Sequence, residues 1–239
     1  MNVIVTGSSR GIGRAIAERL ARPGGRVVVN YLRNGDAADQ TAARVRERGA
    51  EAVVVQADVR NEADLGRLVD ALPHIDVLVH NAAIGVLKPY DQIKTRHWDL
   101  TLESSVRPFW LLTKLATTKL VAGASVIGLS SLGSRKFVPG YAAMGAAKGA
   151  MEALTRQLAV ELAPREIRVN TVCGGLVDTD ALQYFVDKER VIETAKALTP
   201  FGRLGTVDDI AQCVELLTLP QASWVTGQVL VADGGLSLV

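Results

Sequence analysis

The chain has 239 residues, with 27 Lys plus Arg against 25 Asp plus Glu, a formal net charge of +2. Hydrophobic residues make up 48% and charged ones 22%, which excludes a disordered chain; the near balance of charge argues against a nucleic-acid binder. Two cysteines, Cys173 and Cys213, and three scattered histidines form no ligand spacing, so no metal is expected. Neither a signal peptide nor a membrane span is expected, which points to a cytoplasmic protein.

In chain order, β-branched runs at 2–6, 26–31, 52–57, 75–80, 125–130, 167–173 and 228–232 alternate with helix-like stretches near 11–22, 36–48, 61–72, 96–119, 140–163 and 207–217. Continuous Val/Ile runs mark strands covered on both faces, as in a parallel sheet. Strand–helix alternation with right-handed crossovers predicts an α/β fold, a doubly wound seven-stranded parallel sheet in a single domain. The stretch 177–205 breaks the rhythm. It follows a strand end, where open α/β sheets bind ligands, and is expected to act as a lid.

The first loop, between strand and helix, reads Thr6-Gly7-Ser8-Ser9-Arg10-Gly11-Ile12-Gly13. Its GxxxGxG spacing lets the backbone turn tightly and brings a pyrophosphate to a helix N-terminus. In this context the loop predicts dinucleotide binding, with Gly7, Ser9, Arg10, Gly11, Ile12 and Gly13 around the phosphates. The second strand ends at Asn30, where an NAD enzyme places an acid on the ribose. Arg10 and Arg33 carry forks suited to a 2′-phosphate, so NADPH is expected over NADH; Asp36, at a helix start, is the less favoured ribose partner.

Further motifs extend the pattern: Asp58-Val59, HNAA at 80–83, SS at 130–131, YAAMGAAK at 141–148, GGLVDT at 174–179 and DGG at 233–235. With TGSSRGIG at 6–13, these resemble the short-chain dehydrogenase/reductase family along nearly the whole chain. The resemblance implies a Rossmann-type sheet, with Asp58 and Val59 framing the adenine and Asn81, Ala82 and Ala83 along the path to the ribose. It also implies Val177 and Thr179 on the nicotinamide carboxamide beside Gly174, Lys148 on the nicotinamide ribose, and Ser131 as a carbonyl contact.

Two departures bear on the chemistry. Most of the family carries its catalytic Tyr four residues before the Lys; that position is Met144, and the nearby tyrosine is Tyr141, seven before Lys148. On a helix seven residues drift by only ~20°, so Tyr141, Met144 and Lys148 are expected on one face, the hydroxyl displaced by about one turn, ~4.5 Å. In ketone reduction hydride and proton reach the two ends of one C=O. In enoyl-thioester reduction hydride reaches C3 while charge develops on the C1 oxygen, so the stabilising donor belongs farther away. The Y-x6-K spacing resembles enoyl-acyl-carrier-protein reductases. SSLGS at 130–134 and GGLVDTDAL at 174–182 resemble their NADPH-dependent type III class. The second departure is Ser105, which stands where the family's catalytic Asn is expected.

The expected catalytic residues are therefore Tyr141, Lys148 and Ser131, with Lys148 easing a tyrosinate-like donor and Met144, Leu132 and Ser105 lining the substrate pocket. Cys173 is expected to be a buried strand end rather than a nucleophile. The expected partner is an acyl thioester on acyl carrier protein or coenzyme A, with Arg135, Lys136, Lys188, Arg190 and Arg203 as a candidate basic rim. A homotetramer is expected from apolar helix faces such as Phe109–Leu112. A keto-thioester reductase or other short-chain alcohol dehydrogenase, and a non-catalytic NADP(H)-binding protein, are the alternatives.

Overall fold

The structure is a computed structural model that describes every residue except Phe185 and Val186. Chain order runs β1 (Asn2–Val5), α1 (Gly11–Leu20), β2 (Arg26–Tyr31), α2 (Gly35–Glu47), β3 (Glu51–Gln56), α3 (Glu62–Asp70), β4 (Ile75–His80), α4 (Thr95–Ser104) and α5 (Val106–Ala116). It continues with β5 (Leu120–Ser131), α6 (Ala142–Leu162), β6 (Arg168–Gly174), α7 (Lys188–Leu198), α8 (Val207–Thr218) and β7 (Val229–Ala232). The seven strands form one sheet in the order β3-β2-β1-β4-β5-β6-β7, with every pairing parallel. The expected doubly wound architecture is present.

Side-chain alternation along the strands divides the core into two layers. In β1, Ile4 packs with Leu65, Leu68, Phe109, Leu112 and Met151 under α3, α5 and α6. Its neighbours Val3 and Val5 pack with Ile16, Leu20, Ile210 and Val214 under α1 and α8. Both faces are covered, which is why the strands read as unbroken β-branched runs.

Three differences from the sequence-based expectation have local causes. The helix expected over 96–119 is two helices, broken at Ser105 with φ −116° and ψ −77°. β5 begins at Leu120, five residues early, and carries Gly123 at φ 85°. The stretch 177–205 contains α7, capped by the Asp187 carboxylate accepting from the Arg190 N–H at 3.4 Å. The base of this segment is closed by Gly205 N–H donating to Leu176 O and Asp178 N–H donating to Gly205 O. No helix among the described residues is long and apolar enough to cross a membrane.

Candidate active site

The strand C-termini carry the site. Gly7 and Gly11 take φ of 63° and 56°, conformations open to glycine without strain. A Cβ on Gly13 would lie 2.3 Å from Gly7 O and 2.6 Å from Asn81 Nδ2, so helix and strand approach as closely as the absence of a side chain permits. Arg10 is the N-cap of α1 and supplies no side-chain cap. The first N–H groups of α1, which have no intrahelical acceptor, are left to an anion. A bare cradle at a helix N-terminus fits a dinucleotide pyrophosphate.

The loop is fastened by residues that the motif alone does not single out. Arg14 donates to Ser9 O at 2.7 Å and to Thr41 Oγ1 at 3.0 Å, and Thr41 Oγ1 donates to Ser9 O at 3.1 Å. Asn30, expected among the cofactor-binding residues, lies beneath the loop. It is buried, its Oδ1 accepts the Gly7 N–H at 2.8 Å, and its Nδ2 donates to Ala57 O at 3.1 Å. The amide holds the glycine loop. Arg33 is exposed at the end of β2, and its charge helps hold down the Asp58 carboxyl.

The Arg10 guanidinium reaches the 177–205 segment, pairing with Asp180 at 3.0 Å. Asp58 is bound by the Arg60 fork, whose bonds hold its carboxyl below the usual range. Its N–H donates to Asp64 at 2.8 Å, and Val59 is buried beside it. Asn81 Nδ2 donates to Thr6 O and Gly7 O at 2.9 and 3.1 Å. Ser9, Ile12 and Ala82 are partly exposed, and Ala83 is exposed. Gly174 packs near Ile210, Val177 is buried, and Thr179 turns back toward Val177 O at 3.5 Å.

Tyr141 is the N-cap of α6, with φ −102° and ψ 12°, so helical periodicity does not strictly govern its direction. Its ring occupies the space a Gly133 Cβ would fill, 2.2 Å from Cδ1. Its hydroxyl donates to Ser131 Oγ at 3.2 Å. Burial pushes the phenol pKa up, and the Ser131 bond opposes this in part. Lys148 is buried, its Nζ donates to Leu129 O at 2.6 Å, and burial brings it down to about 8. Burial is the largest influence on the Tyr141 phenol and disfavours its ionised form, which leaves the hydroxyl fit to donate a hydrogen bond.

The substrate-pocket expectation is also corrected. A groove of about 520 Å³ is lined by Lys88, Tyr90, Lys136, Phe137, Val138 and Tyr141, among others. It meets the site at Tyr141, and its lining includes neither Met144, Leu132 nor Ser105. Met144 packs into the space over Gly85, and Leu132 is buried. Ser105 is fully buried at the α4/α5 break, its Oγ unpartnered. The aromatic groove residues Tyr90 and Phe137 lie outside every motif and are 83% and 86% exposed. In the expected rim, Arg135 binds Glu152 and Arg203 binds Asp209; Lys136 stays at the groove, while Lys188 and Arg190 are exposed on α7.

His80 joins strand and break. Thr6 Oγ1 accepts the Asn81 and Ala82 N–H groups at 3.0 Å each, so its own hydrogen goes to His80 Nδ1 at 3.2 Å. That leaves Nε2–H to donate to Ser105 O at 2.8 Å. Burial drives His80 down to about 3. The unfolded chain protonates this group near 6.5, so the folded state binds fewer protons between about 3 and 6.5 and loses stability as pH falls through that window. Thermal melts from pH 7 to 4 should show Tm falling more steeply in the wild type than in His80→Asn; parallel curves would remove His80 from the acid response. Cys173 is buried, with its thiol pushed up to about 11, which makes it a poor nucleophile at neutral pH.

Residues 7–237 match the family described as Enoyl-(Acyl carrier protein) reductase. The chain belongs to the short-chain dehydrogenase/reductase family. Among relatives in this family of oxidoreductases, 1-cyclohexenylcarbonyl-CoA reductase of Streptomyces collinus is 40% identical over 242 residues, 99% of this chain and 86% of its own. The 3-oxoacyl-[acyl-carrier-protein] reductase of Synechocystis sp. is 34% identical over 240 residues, 98% of this chain and 95% of its own. The solved structure of angucycline C-6 ketoreductase LanV with bound NADP matches with a TM-score of 0.92 at 30% identity, covering 100% of this chain and 96% of that one.

Proposed function

We propose that this short-chain dehydrogenase/reductase reduces the C2=C3 double bond of a trans-2-enoyl thioester with NADPH. The observation that carries the proposal is the position and state of one hydroxyl. Tyr141, not residue 144, presents it, from the N-cap of α6, as a neutral phenol facing a groove. A neutral donor fixed before the reaction stabilises negative charge developing on the thioester oxygen, a role that needs no proton loss from the phenol. Met144, an apolar side chain against Gly85, leaves no hydroxyl where a ketone oxygen would need one.

The glycine cradle, Arg10, Arg33 and Lys148 would hold NADPH, which supplies a hydride to C3 when bound. Lys148 positions and charges the ribose end, and Ser131 fixes the Tyr141 hydroxyl. Groove residues Tyr90, Phe137 and Val138 would shelter the acyl arm from water, with Lys88 and Lys136 toward an anionic handle on coenzyme A or acyl carrier protein. The name of the Streptomyces relative describes an unsaturated acyl-CoA and supports this reading. We extend the proposal to a homotetramer in the cytoplasm, with the exposed Trp110 of α5 at an interface; Phe109, Leu111 and Leu112 beside it are buried in the chain's own core.

A 3-oxoacyl reductase is the second reading. It is favoured by Ser131 Oγ standing 3.2 Å from the Tyr141 hydroxyl, an arrangement able to grip a carbonyl oxygen from two sides. NADPH consumption with product identification decides between them, offering trans-2-enoyl-CoA and 3-oxoacyl-CoA side by side. Saturation of the enoyl substrate alone supports the proposal; reduction of the keto substrate alone overturns it.

The Lys148 pKa adds a test of cofactor binding. With its folded value lowered to about 8, the ammonium is present below that pH and lost above it. NADPH affinity should be level from pH 6.5 to about 8 and weaken beyond, with the dependence gone in Lys148→Met. An affinity that stays level to pH 9.5 would remove Lys148 from ribose binding.

A further inference from the structure

Glu152 lies on α6, four residues beyond Lys148, and is buried. A carboxylate in such a place is costly unless donors satisfy it. Three side chains do, and all come from one short segment. Ser130 Oγ donates to Oε1 at 2.7 Å, Ser134 Oγ lies 2.6 Å from the same oxygen, and Arg135 Nε donates to Oε2 at 3.0 Å. The Ser134 hydroxyl also lies 2.8 Å from Ser131 O, so its single hydrogen sits between two acceptors. The gripped residues flank the two that seat the phenol. Ser131 accepts from the Tyr141 hydroxyl, and Gly133 provides the floor for its ring. A Cβ on Gly145 would meet Gly133 O at 2.5 Å, so α6 and the 131–135 turn are in contact on this side as well.

We infer that Glu152 is a positioning residue: from the helix that carries Tyr141 and Lys148 it clamps the 130–135 segment, and thereby sets the Ser131–Tyr141 hydroxyl geometry on which turnover depends. Glu152 touches no reacting atom in this account and acts through Ser131. A leucine of similar volume would fill the same space, so packing alone does not call for a carboxylate here. The inference rests on the proposed role of Tyr141 in thioester reduction.

The test is a double-mutant cycle on the full-length protein, using whichever thioester the wild type turns over. Glu152→Leu is expected to lower kcat by about 10–100-fold, the cost of misplacing a reactive group by about 1 Å, with NADPH affinity by fluorescence titration unchanged. Glu152→Gln recovers most of that loss, because its Oε1 still accepts from Ser130. In a Ser131→Ala background Glu152→Leu should cost nothing further, because the group it positions is gone. Multiplicative losses in the double variant, or a parallel loss of NADPH affinity, would overturn the inference and leave Glu152 a general structural residue. So would full activity in Glu152→Leu. If Glu152→Leu gives no cooperative thermal transition, Ser134→Ala takes its place in the cycle with the same expected epistasis. Reduction of the keto substrate by the wild type overturns the enoyl assignment, while the cycle run on that substrate still decides the clamp, so the two failures are separate.

Discussion

Tyr141→Phe is expected to lower kcat for the enoyl thioester by about 10²–10³-fold, the usual cost of removing one preorganised donor to a developing oxyanion. The substitution removes one oxygen and keeps the ring that fills the space over Gly133. The buried hydroxyl has one protein partner, Ser131 Oγ at 3.2 Å, so Tm should shift little: a single neutral hydrogen bond contributes about 1 kcal/mol. NADPH affinity should not change. Steady-state kinetics with a fluorescence titration of NADPH checks both halves, and undiminished turnover would take the phenol out of the reaction.

Gly13→Ala is expected to abolish measurable NADPH binding. The added Cβ would lie 2.3 Å from Gly7 O and 2.6 Å from Asn81 Nδ2. Neither atom is free to move: Asn81 Nδ2 is bonded to Thr6 O and Gly7 O, and the Gly7 N–H to Asn30. The strand–loop–helix junction must therefore open, which disperses the N–H groups that would meet a pyrophosphate and costs about 1–3 kcal/mol of stability as overpacking. Gly11→Ala is the informative contrast. Its Cβ would meet nothing within 4 Å, and its penalty comes from φ of 56°, worth about 1–2 kcal/mol. Calorimetric titration of NADPH into both variants should show Gly11→Ala weakened and Gly13→Ala silent. Retained binding in Gly13→Ala would mean that the cradle is looser than these distances indicate.

The reach of the sequence differed from one part of the molecule to another. Hydrophobic patterning located all seven strands, because a parallel sheet covered on both faces demands unbroken β-branched runs. Two of the seven, β2 and β4, start and end where the pattern does. The break at Ser105 was not read from residues 96–119: Pro108 has no N–H for the Ser104 carbonyl and sits in the first turn of α5, and the Ser105 carbonyl is taken up by His80 Nε2 from 25 residues away. Helix α7 escaped the reading because its stretch is polar and mixed; Ala195 is its one buried position among the described residues, so the core places little demand on its sequence.

Within the site, glycine spacing pointed to the phosphate cradle, since only glycine tolerates such close approach and that constraint is visible in one dimension. It also pointed to Tyr141 and Lys148, because a spacing along one helix is a local property. The part played by Asn30 was out of reach for the opposite reason: its amide is held by Gly7 and Ala57, groups 23 and 27 residues away. The groove of Tyr90, Phe137 and Lys136 and the Glu152 clamp were out of reach on the same ground. Sequence by itself determined the fold class, the dinucleotide loop and the displaced tyrosine, all of them written in local periodicity and backbone sterics. Tertiary structure decided the upward shift of the phenol pKa, the hydrogen bonds of Asn30, the burial of Ser105 and the grip of Glu152. Burial and hydrogen-bond partnership are set by residues far apart in the chain, and they exist only once it has folded.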